Sequence, residues 1–96
     1  MKKAKLIVHP LCAKRRSIEI GTDRSKKIYC NIEKVLQADH SYIIPDNCDP
    51  RKIPSSLRDY DFVEIYGAMH GYCLTVTDLS LTLEGITHSY AKMGFL

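Results

Sequence analysis

The sequence contains no apolar run that approaches the roughly 20 residues a membrane-spanning helix requires. Its first twelve residues combine a basic start with an apolar stretch too short for a secretory signal, so we predict a cytoplasmic protein without a membrane partner. The four cysteines form no C-x-x-C pair and are expected to be free thiols. No arginine-rich run with interleaved aromatic residues occurs, so no nucleic-acid partner is expected.

No repeat, low-complexity tract or linker divides the chain, and its 96 residues fit a single domain, 1–96. Hydrophobic residues make up 45% and charged residues 26%, the balance of a globular protein. The net charge of +3 is uneven, since residues 1–34 hold ten basic and three acidic side chains and residues 35–96 hold four and eight. The basic half predicts a solvated face or a surface for an anionic ligand or a protein partner.

Three short apolar runs predict buried strands. Residues 4–8 and 40–45 are each stopped by a proline, and residues 62–67 end at a glycine. Residues 46–61 carry two prolines and several short polar side chains, which predicts a loop with at most one helical turn near 54–57. Residues 86–96 fit either a fourth short strand or a tail.

One helix is predicted between the first two strands. Residues 12–25 have the pattern of a polar connection with a turn at Gly21. Thr22 or Asp23 then caps a helix that continues to Gln37. Four apolar side chains fall on one face of that helix: Ile28, Ile32, Val35 and Leu36.

Residues 74–83 fit two structures. Alternation of Leu, Thr and Val favours a strand, because β-branched residues are enriched there. Four side chains at i, i+4, i+7 and i+11 instead favour a helix that ends just before Gly85. These four are Tyr72, Val76, Leu79 and Leu83. The pattern alone leaves both structures open.

The order of elements predicts an α/β fold, a small three-layer sandwich with a short, mostly parallel sheet. So few strands leave sheet edges exposed, and a homo-oligomer is therefore expected. Ligands of such sheets bind beyond the carboxyl ends of the strands, where two H-x-x-C pairs fall. If their strands are neighbours, the four side chains could hold zinc: His9, Cys12, His70 and Cys73.

Cys73 is the candidate nucleophile. A cysteine attacks as the thiolate, which the N–H groups of a helix N-terminus stabilise. If residues 74–83 are helical, Cys73 lies in the first turn, and Gly67 and Gly71 let nearby N–H groups converge on a developing oxyanion. His9, at the end of the first strand, is the candidate base. The competing interpretation is that Cys73 is a small apolar residue of the core.

The segment VEIYGAMHGYCLTVTDLSLTLEG, residues 63–85, resembles the active-site segment of the isochorismatase-like cysteine hydrolases, which include the nicotinamidases. Five positions keep the register of that family without a gap: Gly67, Cys73, Leu74, Thr77 and Gly85. The resemblance implies hydrolysis of a small amide-type substrate with Cys73 as the nucleophile, and we expect no cofactor.

The resemblance also assigns backbone groups. It implies an oxyanion hole made by the amides of Met69 and Cys73, and a non-proline cis peptide bond at Ala68–Met69. The residues expected to bind the substrate are Gly67, His70 and Tyr72.

The chain departs from the family at two catalytic positions. His9 stands where the family has an aspartate, and the segment with the family's catalytic lysine is mostly missing, Lys52 being the nearest candidate. Asp46 is a loose match to a metal ligand of the nicotinamidases. Three functions therefore stay open: a hydrolase, a non-catalytic binding or interaction module, and a His/Cys metal-binding domain.

Overall fold

Four strands form the central sheet of the computed structural model, which describes residues 1–96. They are β1 (Lys3–Val8), β2 (Ser41–Ile44), β3 (Phe62–Gly67) and β4 (His88–Phe95), in the spatial order β2-β1-β3-β4. Every neighbouring pair is parallel. All four carboxyl ends therefore lie along one edge of the sheet, here called the carboxyl edge.

Helices cover both faces of this sheet. Helices α1 (Pro10–Ile20) and α2 (Asp23–Leu36) follow β1, and α3 (Cys73–Leu83) connects β3 to β4. A short 3-10 turn at Ser55–Asp59 precedes β3, close to the predicted helical turn. The predicted α/β sandwich is confirmed, with a sheet that is entirely parallel. None of the helices has the length and apolar character needed to span a membrane.

The strands alternate their side chains between two cores. Leu6 and Val8 of β1 pack on one face with Leu74 and Leu81 of α3. Ile7, between them in the chain, packs on the other face in a second cluster that includes residues of α1 and α2. A parallel sheet buried on both faces produces continuous apolar runs, which is why β1 and β3 were predictable from the sequence.

Helix α1 replaces the polar connection that the sequence predicted, and that prediction is wrong. The helix begins at Pro10, whose missing N–H costs nothing at the first helical position. It buries only Ala13 and Ser17, whereas Leu11 and Ile18 are 63% and 70% exposed. Since its apolar side chains point outward, no apolar stripe marks this helix in the sequence.

Helix α2 begins where it was predicted to begin. The Thr22 hydroxyl accepts a hydrogen bond from the Ser25 N–H at 3.1 Å and so caps the helix. The helix ends at Leu36, one residue before the predicted end. Ile28, Ile32 and Val35 are buried as the periodicity indicated, so this helix is held to the sheet by the face that the sequence identifies.

Helix α3 resolves the ambiguous segment in favour of the helix. Its buried face carries Leu74, Thr77 and Leu81. The four residues whose spacing favoured a helix form an outer row instead, here called the α3 stripe: Tyr72, Val76, Leu79 and Leu83. Tyr72, Leu79 and Leu83 are 68%, 59% and 88% exposed. The helix is thus apolar on both faces, which explains why its sequence pattern did not distinguish helix from strand.

Candidate active site at the carboxyl edge

Cys73 lies at the carboxyl edge as the first residue of α3. A five-residue loop joins it to β3, and the Ala68–Met69 peptide bond in this loop is cis, at the position predicted. The Met69 carbonyl accepts hydrogen bonds from the N–H groups of Tyr72 at 3.0 Å and Leu74 at 3.2 Å. These two bonds hold the loop against the first turn of the helix.

Several N–H groups of this loop and of the first turn of α3 donate no hydrogen bond within the chain. The backbone N–H groups of Met69 and Cys73 are among them. They are the two amides that the resemblance assigns to an oxyanion hole, and free donors near a helix N-terminus are suited to binding a negatively charged oxygen.

The Cys73 side chain is partly buried and packs against the core cluster between the sheet and α3. It is therefore neither a fully enclosed core residue nor a fully exposed one. Partial exposure at a helix N-terminus is the environment in which reactive cysteines are found.

His9 lies at the end of β1 in a left-handed conformation, with φ 51° and only 7% of its surface exposed. Its Nε2 is 3.0 Å from the Cys48 carbonyl oxygen, which can only accept, so Nε2 carries the hydrogen. No hydrogen bond joins His9 to Cys73. Nδ1 of His9 forms no hydrogen bond within the chain. Since every fully buried side-chain nitrogen has a hydrogen-bond partner, Nδ1 is accessible to solvent.

Asp46 has a structural role at this edge. Its carboxylate accepts hydrogen bonds from the N–H groups of Leu11 at 2.9 Å and Cys12 at 2.7 Å. It therefore satisfies two of the free donors at the start of α1. Burial, followed by the negative charge of Asp46, raises the pKa of the Cys12 thiol; Cys73 adds to this rise and Arg15 opposes it. Cys73 thus lies close enough to Cys12 to affect the pKa of its thiol.

The predicted substrate-binding residues occupy different environments. Gly67 is buried, and its carbonyl accepts a hydrogen bond from the Leu96 N–H at 2.9 Å. His70 is exposed, and its ring packs against Tyr90 and Phe95 with centroids 5.7 and 5.2 Å apart. Tyr72 belongs to the exposed α3 stripe. Only His70 and Tyr72 therefore present side chains to a ligand.

The two H-x-x-C pairs do not come together as a zinc site. No three His, Cys, Asp or Glu side chains are placed to hold a metal ion. The His9 ring is directed to the Cys48 carbonyl in the loop after β2, whereas the His70 ring lies on residues of β4, at the opposite end of the sheet. The hypothesis of a metal site at these residues is therefore not supported by their positions.

Two charged residues of the loop after β2, Lys52 and Asp49, form no hydrogen bond with Cys73 or His9. Lys52 is exposed. The hydrogen bonds from Arg51 to Asp49 lower the pKa of that carboxyl to about 2. Asp49 is thus committed to an ion pair, with a shortest N–O distance of 2.7 Å.

One contact that shapes the site has no signal in the sequence. The Thr77 hydroxyl, fully buried in α3, donates a hydrogen bond of 2.8 Å to the Pro50 carbonyl. This bond fixes the loop that also supplies the Cys48 carbonyl to His9. The family resemblance marks Thr77 by position, but its partner lies 27 residues away and is visible only in the fold.

Comparison with known proteins identifies no family for this chain. No family model matches the chain, and neither a curated protein nor a solved structure is significantly similar to it.

Proposed function

We propose that this chain is a small isochorismatase-like cysteine hydrolase that cleaves an amide-type substrate, with Cys73 as its nucleophile. One observation carries the proposal: a partly buried thiol at the first residue of α3 lies beside two uncommitted N–H groups, those of Met69 and Cys73. This combination supplies both a nucleophile and donors for the oxyanion that its attack creates.

The proposed reaction has two halves. The Cys73 sulfur bonds to the carbonyl carbon, and the displaced electron pair collects on the oxygen, which accepts hydrogen bonds from the two amides. Breaking the C–N bond then releases the amine, which takes a proton, and leaves a thioester on the sulfur. Water hydrolyses the thioester to the acid and restores the thiol.

His9 is the proposed proton carrier. Its Nε2–H is held by the Cys48 carbonyl, so the neutral ring has its lone pair on Nδ1. Nδ1 can take the thiol proton and return it to the departing amine. A hydrogen bond between the base and its nucleophile often tightens only when substrate is bound, which accommodates the absence of one between His9 and Cys73.

Selective alkylation tests the nucleophile. We expect iodoacetamide at mildly acidic pH to modify Cys73 at least about tenfold faster than Cys12, whose pKa is raised by burial and by Asp46. Peptide mapping by mass spectrometry measures both rates in the same sample. Replacing His9→Gln should remove the advantage of Cys73, because the variant has no base.

The matched control for this experiment is His40→Gln. His40 is exposed and lies near Tyr60, at the other edge of the sheet, so its loss should leave the alkylation of Cys73 unchanged. Equal and slow modification of Cys12 and Cys73 in the native protein would contradict the proposed nucleophile.

We also propose that the protein is a homodimer formed through the α3 stripe. Within α3 the only ionisable side chain besides the Cys73 thiol is Asp78, and its carboxylate pairs with His88. Two copies can therefore bring their stripes together without opposing like charges, in a molecule whose net charge is +3. The stripe begins at Tyr72, next to Cys73, so the partner subunit would border the proposed active site.

A substitution that places a charged side chain on the α3 stripe should dissociate this dimer. In sedimentation equilibrium we expect twice the mass of one chain for the native protein and a single-chain mass for Leu83→Glu. Leu11→Glu is the matched control, because Leu11 is also an exposed leucine, at 63%, but lies on α1. A native protein that stays monomeric at millimolar concentration, or equal dissociation by both variants, would refute the dimer.

A further inference from the structure

A cavity of about 240 Å³ lies between the α1–α2 connection and the last residues of β4. Five of its eight lining residues are apolar: Ile20, Ile28, Met93, Phe95 and Leu96. Neither Cys73 nor any residue of the loop before it contributes to the lining. The cavity therefore does not include Cys73 or the loop before it, although Phe95 and Leu96 of its lining contact His70 of that loop.

The polar side of this cavity carries one charged side chain, that of Arg24. Thr22 Oγ1 already accepts the Ser25 N–H, and Ser25 Oγ lies 3.0 and 2.9 Å from the Ser17 and Thr22 carbonyls. Arg24 is the only charged lining residue, and its guanidinium forms no ion pair and no hydrogen bond within the chain. A ligand would therefore find apolar contacts along most of its surface and one exposed cationic residue, Arg24, in the lining.

We propose that this cavity binds a small monocarboxylic acid with an apolar body, such as an aryl- or alkyl-substituted short-chain acid. The planar guanidinium of Arg24 matches a carboxylate with two parallel hydrogen bonds. A dry cavity of roughly 150 Å³ holds benzene, so 240 Å³ accommodates a ring with a short acid chain. The site has the composition typical of small-molecule pockets, which is apolar walls with one placed polar group.

This inference stands apart from the proposed hydrolase. The carboxylate would be recognised by Arg24 of α2, whereas the hydrolase depends on Cys73 and His9 at a different part of the carboxyl edge. If the acid does not bind, the proposed hydrolase is unaffected, and if Cys73 is not a nucleophile, the proposed binding site is unaffected.

Titration of the full chain with 3-phenylpropionate tests the proposal. We expect this acid to bind at least tenfold more tightly than 3-phenylpropan-1-ol, which lacks the charge, and than propionate, which lacks the ring. Isothermal titration calorimetry measures the affinities. In nuclear magnetic resonance spectra the acid should shift the amide signals of residues 20–28 and 93–96.

Two variants locate the carboxylate and the apolar body. Arg24→Gln should weaken binding at least tenfold, whereas Lys26→Gln, which removes an exposed cation of the same helix outside the cavity, should leave binding unchanged. Ile20→Asp, which places a negative charge on the wall, should also weaken it, and circular dichroism checks that all three fold. No binding at millimolar acid, an equal loss in the Arg24 and Lys26 variants, or shifts confined to other residues would overturn the proposal.

Discussion

Replacing Cys73 by alanine is expected to abolish the hydrolysis of small amides, lowering kcat/KM by roughly a thousandfold or more. In the proposed mechanism the substitution removes the sulfur that forms the thioester, while the amides of Met69 and Cys73 and the helix itself stay in place. Release of ammonia from a panel of small primary amides measures the rate. The side chain is only partly buried, so the loss of the sulfur should leave the fold intact.

Cys12→Ala is the matched control for that loss. Cys12 is also partly buried, lies in the first turn of α1 and is an electrostatic neighbour of Cys73. Because its thiol is held in the protonated form by burial and by Asp46, it is a poor nucleophile, and its variant should keep nearly the native rate. Amide hydrolysis that persists in Cys73→Ala would contradict the proposed mechanism.

Replacing Gly67 by alanine is expected to destabilise the fold by more than about 4 kcal/mol, enough to unfold many small domains. A Cβ atom at this position would lie 2.0 Å from the Val8 carbonyl oxygen, in the central strand pair β1–β3. The residue also has φ +118°, which side chains rarely adopt. Neither strand can move away, because both are buried between two cores.

Gly85→Ala separates the steric clash from the backbone effect. Gly85 has φ +72°, but a Cβ atom there would meet nothing within 4 Å. We therefore expect a loss of only about 1 kcal/mol from the left-handed conformation. Urea denaturation followed by circular dichroism compares the two variants. Similar losses for both would show that the contact between β1 and β3 is looser than these distances indicate.

The predictable part of the fold is the part in which local pattern and burial coincide. Residues 62–67 form β3 with the predicted bounds, and α2 begins at Asp23, because most of their apolar side chains face a core. Helix α1 was missed because Leu11 and Ile18 face outward. For α3 the helix was one of the two structures that the sequence predicted. The apolar spacing that favoured it belongs to the exposed row of side chains, whereas the buried face is formed by other residues.

The sequence predicted where single residues of the candidate site lie, but it did not predict their contacts. The place of Cys73 at a helix start follows from Gly67, Gly85 and the helical alternative for the residues between them. The contacts of His9 and Asp46 do not, because their partners lie 34 to 39 residues away along the chain. Such contacts depend on how β2 and its loop pack beside β1, which no local pattern encodes.

The loop after β2 connects the two groups of the proposed dyad mechanically. Thr77 of α3 holds it through the Pro50 carbonyl, and two residues earlier the Cys48 carbonyl holds the His9 ring. The orientation of the imidazole and the helix that carries the sulfur are therefore tied to the same three residues, 48–50. A ligand that displaced residues 48–50 would break both hydrogen bonds, and so would free the ring of the proposed base without breaking a hydrogen bond of the sheet.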